Sequence, residues 1–295
     1  MVITVIIAAA VLAAVLAAAI ILFLTAGRKS SPEYADFYGK RFAHRGLYDN
    51  SPDENRPENS LAAFALAVRC GLGIEFDIHL SRDGVPVVYH DDSLSRLCGI
   101  DKPIASFTAD ELHEIKILGT DQYIPCLSEV LGVIGGKVPI IAEFKCTPGG
   151  EYSVLELCEK AAPMLEEYGG SYCIESFNPY VVGWYKKNRP DVFRGQLSEK
   201  FSTKAGRRDK AVLFMLSELL LNFVGRPDFV SYNCRDIYTF GFRLWRHIYG
   251  GAVSLWTVRD EGLMTSLCEQ GEADCCIFES FVPADIELSG AGTAS

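Results

Sequence analysis

Two acidic residues on one predicted strand are the first sign of chemistry in this 295-residue chain. Residues 73–81 read GIEFDIHLS, in which apolar and polar side chains alternate. Successive side chains of a strand point to opposite faces, so Glu75 and Asp77 share one face. The other face is continuously apolar and must pack against helices, which directs both carboxylates into an enclosed interior. Two like charges there require a neutralising partner, and oxygen ligands suit Mg²⁺ or Ca²⁺ better than zinc.

A third carboxylate follows on a later predicted strand. In residues 140–145, IIAEFK, the apolar neighbours place Glu143 and Lys145 on the same face. Glu143 can then complete a site of three carboxylates, and Lys145 can contact a phosphate oxygen. A buried ion pair between Glu143 and Lys145 is the alternative, and this segment taken alone favours the ion pair.

Two histidines lie at the ends of predicted strands. His44 ends the run FAH and is followed by Arg45, whereas His90 ends VVYH and is followed by Asp91. Imidazole titrates near neutrality, which suits general acid–base catalysis. The guanidinium of Arg45 offers a bidentate fork for phosphate. A single histidine at a strand end is more often structural, but two of them beside a carboxylate cluster indicate an active site.

The elements that must position these residues alternate along the chain. From residue 41 onward, short apolar segments typical of strands alternate with amphipathic segments typical of helices, in about eight units. This rhythm predicts a parallel sheet, and the count predicts an α/β fold, a (β/α)8 TIM barrel over residues 41–288. Residues 91–126 lack the rhythm and are predicted to be an insertion. Both histidines would lie at the carboxyl-terminal rim of the barrel, where barrel enzymes place catalytic groups.

Residues 1–27 are predicted to be a transmembrane anchor. Residues 2–24 carry no charged side chain, and as a helix they would be about 35 Å long, enough to cross a hydrocarbon core of about 30 Å. A cleaved signal peptide is the alternative, but it would have a shorter apolar run preceded by a basic residue. Arg28 and Lys29 follow the run, so the positive-inside rule predicts a single-pass membrane protein with its catalytic domain in the cytoplasm. Residues 28–40 are predicted to be a polar linker.

Composition and charge exclude some other classes. The formal net charge of −10 disfavours nucleic acid as a partner, because a phosphate backbone requires a basic surface. The ten cysteines form no C-x-x-C pair. We therefore interpret them as mostly buried, reduced thiols and not as a disulfide framework or a zinc site.

Several motifs together resemble those of the glycerophosphodiester phosphodiesterase family. The most specific are FAHRG at residues 42–46, PENS at 57–60 and EFDIHLSRDGVPVVYHD at 75–91. The further matches are the EFK strand, Ser176-Phe177 and Trp256-Thr257-Val258. The resemblance extends, with gaps, from about residue 41 to about residue 280.

This resemblance implies a barrel of the phosphoinositide-phospholipase-C-like type that uses one divalent metal ion, Mg²⁺ or Ca²⁺. It also implies a role for each matching residue. The implied roles are metal binding by Glu75, Asp77 and Glu143, acid–base catalysis by His44 and His90, phosphate binding by Arg45 and Lys145, a pocket wall at Trp256 and an accessory place for Glu58.

The chain departs from the family pattern at three places around the expected pocket. Arg96-Leu97-Cys98-Gly99 stands where the family usually shows Arg-Thr-Thr-Gly, and Arg259 stands where Asn usually follows Trp-Thr-Val. The last strand ends in Phe278-Glu279-Ser280-Phe281 instead of Thr-Asp/Asn-x-Pro. No expected metal ligand or catalytic histidine is lost, so these differences concern the pocket wall and the choice of leaving group.

The implied activity is hydrolysis of glycerophosphodiesters to an alcohol and glycerol 3-phosphate. Two alternatives stand beside it. The basic and then apolar segment 207–224 is either a barrel helix or an interfacial helix, and an interfacial helix would favour lysophospholipase D activity on membrane lysophospholipids. The second alternative is a catalytically inactive, membrane-tethered binding scaffold. The retention of both histidines and all three carboxylates argues against it.

Overall fold

Nine strands form one sheet in the residues that the computed structural model describes, which are 2–29, 34–51, 53–146, 153–201, 207–286 and 288. The strands are β1 (Arg41–His44), β2 (Gly73–Leu80), β3 (Pro86–Val88), β4 (Ile140–Phe144), β5 (Tyr172–Ser176), β6 (Phe193–Ser198), β7 (Phe229–Asn233), β8 (Ala252–Val258) and β9 (Cys275–Phe278).

Eight of these strands are parallel and close into the predicted barrel. The order runs β1-β9-β8-β7-β6-β5-β4-β2, and β1 pairs with β2 to complete the ring, for example through Phe42 opposite Gly73. The remaining strand, β3, is not a barrel strand. It pairs antiparallel with the end of β2, with Val88 opposite Ile78, because the short turn between them permits an antiparallel return whereas a parallel one needs a long crossover.

Helices surround the barrel and precede it in the chain. The described α-helices are α1 (Val2–Thr25), α2 (Leu61–Arg69), α3 (Ser95–Cys98), α4 (Ala109–His113), α5 (Leu127–Ile134), α6 (Val154–Glu166), α7 (Pro179–Asn188), α8 (Arg207–Ser217), α9 (Asn222–Gly225), α10 (Phe240–Arg243) and α11 (Glu261–Glu269). A 3-10 helix (Ile104–Ser106) and a π-helix (Leu244–Ile248) are also present. The segment 207–224, which the sequence suggested as a single helix, is divided between α8 and α9. Leu219 takes a left-handed conformation at φ 57°, which ends regular helix between them.

The alternation of β2 decides which side chains enter the barrel, as predicted. Ile74, Phe76 and Ile78 are fully buried in the core between the sheet and the helices. The intervening Glu75 and Asp77 are equally buried and point inward. The predicted insertion, 91–126, packs around a separate apolar cluster beside β3, lined by Tyr89, Leu94, Leu97, Ile104, Leu112 and Ile117.

The lower barrel interior, near the starts of the strands, is apolar. It is filled by Phe42, Ile141, Cys173, Phe193, Phe229, Cys275 and Ile277. Gly195 is required at this level, because a Cβ there would lie 2.3 Å from the ring of Phe229. Phe37, within the segment predicted to be a linker, closes the base of the barrel: it is fully buried, and its ring centroid lies 4.7 Å from that of Phe229.

The N-terminal helix differs from all the others in its exposure. α1 has 24 residues and a mean hydropathy of 3.1 in its most apolar stretch, none of which is buried in the protein. Within the described residues it is the one helix long and apolar enough to cross a membrane, a property that signal sequences share.

We expect Phe37→Ala to destabilise the barrel by about 3–5 kcal/mol, the usual cost of removing a buried phenylalanine side chain. Chemical denaturation followed by circular dichroism measures this change in the free energy of unfolding. Tyr38→Ala is the matched control, because Tyr38 is 51% exposed and its loss should cost less than about 1 kcal/mol. Equal effects of the two substitutions would show that residues 34–40 do not support the barrel.

Candidate active site

Three buried carboxylates meet at the carboxyl-terminal end of the barrel. Glu75 and Asp77 come from β2, and Glu143 comes from β4, where it lies directly opposite Asp77 in the strand pairing. One ligand oxygen from each residue can be chosen so that all three lie within 4.8 Å of one another. The structure thus brings together the three residues that the sequence predicts as metal ligands.

Two cations and one amide contact this acidic cluster. Lys145 places its Nζ 3.0 Å from Asp77 Oδ1 and 2.8 Å from Glu143 Oε1, so the ion pair considered from the sequence is present within the cluster. Arg45 donates its backbone N–H to Glu75 Oε2 at 3.1 Å, and its Nε lies 3.6 Å from Asp77 Oδ2. Asn59 donates from Nδ2 to Asp77 Oδ2 at 2.8 Å.

The backbone is locally unusual at two of these contacts. Arg45 and Asn59 both have φ 57°, a left-handed conformation that is uncommon for residues other than glycine. In this conformation, the chain after β1 turns the N–H of Arg45 toward Glu75, and the chain before α2 brings the amide of Asn59 to Asp77. Strained conformations of this kind persist where the surrounding structure enforces them and are concentrated at functional sites.

The carboxyl groups of the cluster differ in how readily they ionise. Burial raises the pKa of Glu75 well above its ordinary value, and the neighbouring charges of Asp77 and Glu143 raise it further. Burial also opposes ionisation of Asp77, but the positive charge of Lys145 holds the pKa of Asp77 well below its ordinary value. One carboxylate is thus firmly ionised beside another that resists ionisation unless more positive charge is supplied.

The residues present suit a divalent cation. Glu75 Oε1 is buried and has no hydrogen-bond partner among the described residues, so this oxygen is available to bind a cation. Three carboxylates against the two cations, Arg45 and Lys145, leave a net negative charge when all are ionised. Carboxylate oxygens are the donors that Mg²⁺ and Ca²⁺ prefer.

A fourth carboxylate, Glu175 on β5, was missed by the sequence analysis. It lies opposite Glu143 in the strand pairing and is 1% exposed. Burial, with the charge of Glu143, raises its pKa to about 8. The sequence YCIES contains a signal that could have identified Glu175. In a strand, its side chain shares a face with that of the buried Cys173.

His44 is held by a carboxylate from the last strand. Its Nδ1 hydrogen-bonds to Glu279 Oε2, and its Nε2 lies 3.9 Å from Glu75 Oε2. Glu279 also accepts from Tyr48 at 3.1 Å and from Arg259 Nε at 2.7 Å. Burial opposes ionisation of Glu279, but the hydrogen bond and charge of His44 lower its pKa to about 2. Two of the three departures from the family pattern, Arg259 and Glu279, therefore contact each other, and Glu279 contacts His44.

His90 belongs to a second chain of charged contacts. Its Nδ1 lies 2.6 Å from Asp91 Oδ1, and Asp91 Oδ2 accepts from Arg96 Nε at 2.7 Å. Arg96 continues to Glu58 with contacts of 2.7 and 2.8 Å, and Glu58 accepts from Arg45 Nη1 at 2.6 Å. Glu58 is thus outside the acidic cluster and links two arginines, one of which contacts the cluster.

One small cavity contains the predicted catalytic residues. Its volume is about 180 Å³, and its lining includes His44, His90, Glu75, Glu143 and Lys145. Trp256 lines it as well, with its ring perpendicular to that of Phe177 at a centroid distance of 5.7 Å. His79, the one histidine of β2, contacts the carbonyl of His90 at 3.2 Å and so supports the main chain beside the site.

A larger apolar cleft of about 720 Å³ lies beside this cavity. His90, Glu143 and Lys145 line both. The rest of the cleft wall is mainly apolar and includes Phe144, Phe177, Phe201, Val212, Met215, Leu216 and Leu221. Segment 207–224 therefore contributes a wall of this cleft through α8 and the residues that follow it.

The chain has relatives among known proteins. A glycerophosphodiester phosphodiesterase from Caldanaerobacter subterraneus subsp. tengcongensis is 33% identical over 171 residues, which are 52% of this chain and 65% of that protein. Glycerophosphodiester phosphodiesterase 1 from Homo sapiens is 28% identical over 159 residues, which are 50% of this chain and 45% of that protein. The matched region is thus less than two thirds of either relative's length.

Solved structures share the fold. An Oleispira antarctica phosphodiesterase in complex with the product sn-glycerol-3-phosphate superposes with a TM-score of 0.65 at 24% identity, covering 83% of this chain and 94% of that chain. A glycerophosphodiester phosphodiesterase from Parabacteroides distasonis gives a TM-score of 0.63 at 23% identity, covering 81% and 92%. At these identities the likeness supports the barrel architecture.

The sequence profile of the Glycerophosphoryl diester phosphodiesterase family matches residues 44–280. This range contains the acidic cluster, both histidines and seven complete barrel strands. Of the eighth strand, β1, it contains only the last residue, His44. The chain therefore belongs to the Glycerophosphoryl diester phosphodiesterase family.

Proposed function

We propose that this chain is a metal-dependent phosphodiesterase that hydrolyses glycerophosphodiesters to an alcohol and glycerol 3-phosphate. The observation that most supports this activity is that His44 and His90 line one cavity with the buried acidic cluster. Membership of the family gives the reaction class, and the retained histidines and carboxylates disfavour an inactive scaffold.

Glu75, Asp77 and Glu143 would hold one divalent ion, Mg²⁺ or Ca²⁺. Such an ion neutralises charge on the phosphoryl oxygens and favours ionisation of a nearby hydroxyl or water. Arg45 and Lys145, which contact the cluster, would bind the remaining phosphoryl oxygens. The leaving alcohol would pack against Trp256.

Proton transfer would belong to the two histidines. One would take a proton from the nucleophile as it attacks phosphorus, and the other would protonate the departing alcohol oxygen. The nucleophile is either water or the neighbouring glycerol hydroxyl. Glu279 would orient His44 by accepting its Nδ1–H, which leaves Nε2 facing the acidic cluster, and Asp91 would do the same for His90.

The apolar cleft favours a second candidate substrate class, the lysophospholipids. Its volume of about 720 Å³ and its wall of aromatic and aliphatic side chains suit an acyl chain, whereas glycerol and a small polar head group do not require them. The same His90, Glu143 and Lys145 line both spaces, so a lysophospholipase D reaction would use the same chemistry.

We also propose that residues 1–27 are retained as a single-pass membrane anchor with the catalytic domain in the cytoplasm. The support is a 24-residue apolar helix whose side chains are exposed except in its last turn, followed by Arg28 and Lys29.

We expect His44→Ala to reduce turnover of glycerophosphocholine by roughly 10²–10⁴-fold, the usual contribution of a general acid or base. Glu143→Ala should abolish turnover, because it removes one of three metal ligands. Circular dichroism should show a folded barrel in both variants. His247→Ala is the matched control, because His247 lies outside the cavity and its side chain is half exposed. Wild-type rates in either site variant would contradict the assignment.

Removal of divalent ions should abolish turnover of glycerophosphocholine and glycerophosphoethanolamine. The measurement is glycerol 3-phosphate release in EDTA, followed by addition of Mg²⁺ or Ca²⁺. The ion that restores turnover identifies the metal, whereas full turnover in EDTA would show that the reaction does not need one.

Met215→Asp tests the second substrate class. The loss of apolar contact with an acyl chain, worth about 1.5–3 kcal/mol, should lower kcat/KM for lysophosphatidylcholine relative to glycerophosphocholine by roughly tenfold or more. Phe214→Asp is the control, because Phe214 is 60% exposed and does not line the cleft. An unchanged ratio in Met215→Asp would argue against lysophospholipid as a substrate.

A further inference from the structure

The end of the apolar helix is built into the base of the barrel. The buried amide of Asn222 donates to the carbonyl of Thr25 at 3.1 Å, and both residues are fully buried. Arg226 donates from Nη1 to the carbonyls of Phe23 and Ala26 at 2.8 and 2.9 Å. Tyr249 donates to the carbonyl of Leu22 at 2.8 Å, so three barrel residues satisfy the last carbonyls of α1.

The contact continues past the helix. Arg28 donates its backbone N–H to the carbonyl of Pro227 at 3.0 Å, and its guanidinium pairs with the buried Asp228 at 3.3 Å. Gly27 packs so closely on Trp245 that a Cβ there would lie 2.4 Å from its ring. Residues 22–28 therefore have a specific binding surface on the barrel and are not a free tether.

These contacts also explain why removal of α1 would be costly. If the segment were cleaved, Asn222, Arg226 and Tyr249 would lose these hydrogen bonds to the end of α1 and would have to bond to water instead, and the ring of Trp245 would lose its contact with Gly27. The base thus presents polar groups that match a retained helix end.

This binding surface lies at the opposite end of the barrel from the acidic cluster. Its residues precede β7 and β8, at the starts of parallel strands. The catalytic candidates His44 and Lys145 lie at or just after strand ends. Only the last turn of α1 is in contact with the barrel, so the rest of the helix leads away from it.

Aromatic and basic residues surround the point where α1 leaves the barrel. Phe223 is partly exposed and lies beside Phe23, with ring centroids 6.3 Å apart, and the guanidinium of Arg226 stands 4.5 Å from the centroid of Phe23. Arg226 and Tyr249, which both contact the end of α1, are residues of the kinds that proteins place at the level of lipid headgroups.

From these contacts we propose that the base of the barrel is a membrane-facing surface, fixed there by the clamped end of α1, and that the catalytic mouth opens away from the bilayer. The partner of the base is the headgroup layer of the membrane that α1 crosses. This inference rests on the proposed anchor and not on the proposed chemistry. Substrates would reach the mouth from the aqueous phase, and a lysophospholipid would arrive from solution or from a facing bilayer and not from the leaflet beside the anchor.

Site-specific fluorescence quenching of the full chain in phosphatidylcholine–phosphatidylglycerol vesicles tests this orientation. A fluorophore is attached at Ile248→Cys, near the base, or at Tyr238→Cys, beyond the end of β7, in a Cys268→Ser background. Ile248 and Tyr238 are 70% and 55% exposed, and the five residues of β7 separate their levels by about 17 Å. The Cys268→Ser chain without an added cysteine reports how much the remaining native cysteines are labelled.

A nitroxide quencher on the lipid headgroups should reduce the fluorescence of the label at position 248. Most of the fluorescence of the label at position 238 should remain. Equal quenching of both labels, or stronger quenching at Tyr238, would overturn the inference. Failure of the chain to float with the vesicles would overturn the anchor and this inference together, whereas glycerophosphodiester turnover in the same preparation is read separately.

The hydrogen bonds of Asn222, Arg226 and Tyr249 to the end of α1 form a clamp. The combined variant Asn222→Ala and Arg226→Ala tests whether this clamp sets the orientation of the barrel on the membrane. It should still float with the vesicles, but the difference in quenching between the two labels should shrink. Arg235→Ala, at an exposed position beyond β7, is the matched control and should keep the difference. An undiminished difference in the combined variant would overturn the role of the clamp.

Discussion

Negative charge is concentrated inside the mouth of the barrel, and most contacts of the site compensate for it. Glu75, Asp77 and Glu143 are almost fully removed from water, where like charges are costly unless they are compensated. The surrounding elements supply that compensation from several directions. Lys145 enters from the end of β4, and the strained turn after β1 brings Arg45. These two cations leave a net negative charge, which is the electrostatic basis for a divalent ion.

The histidines are connected to this centre by two separate charged networks. His44 is oriented by Glu279, which Arg259 also contacts, while His90 is oriented by Asp91 and Arg96. The second network returns to the centre through Glu58, which contacts both Arg96 and Arg45. Because charged groups in a partly buried network stabilise one another, replacement of Arg96 should affect both Arg45 and His90, the groups proposed to bind phosphate and to transfer a proton.

The two ends of the barrel have contrasting chemistry. The upper interior is acidic and polar, whereas the lower interior is filled by aromatic side chains and closed by Phe37. The closed base gives a firm surface for the end of α1, and the open mouth leaves room for a substrate beside the apolar cleft. A rigid apolar base and a charged mouth are compatible in one barrel because successive layers of inward side chains come from different positions along the same strands.

Three features could be predicted from the amino-acid sequence alone: the barrel, the apolar N-terminal helix and the grouping of three carboxylates. Strict alternation in β2, and the position of Glu143 among the apolar residues of β4, indicate which side chains point inward, and these patterns are local, so they can be read without the fold. Other features depended on tertiary structure. Glu175, Glu279 and Arg259 join the site only because distant strands meet around a closed ring, and β3 leaves the barrel because its partner is chosen by the turn before it. The packing of Phe37 and the clamp on α1 were equally hidden, since a short polar segment gives no local sign of which distant surface will bury it.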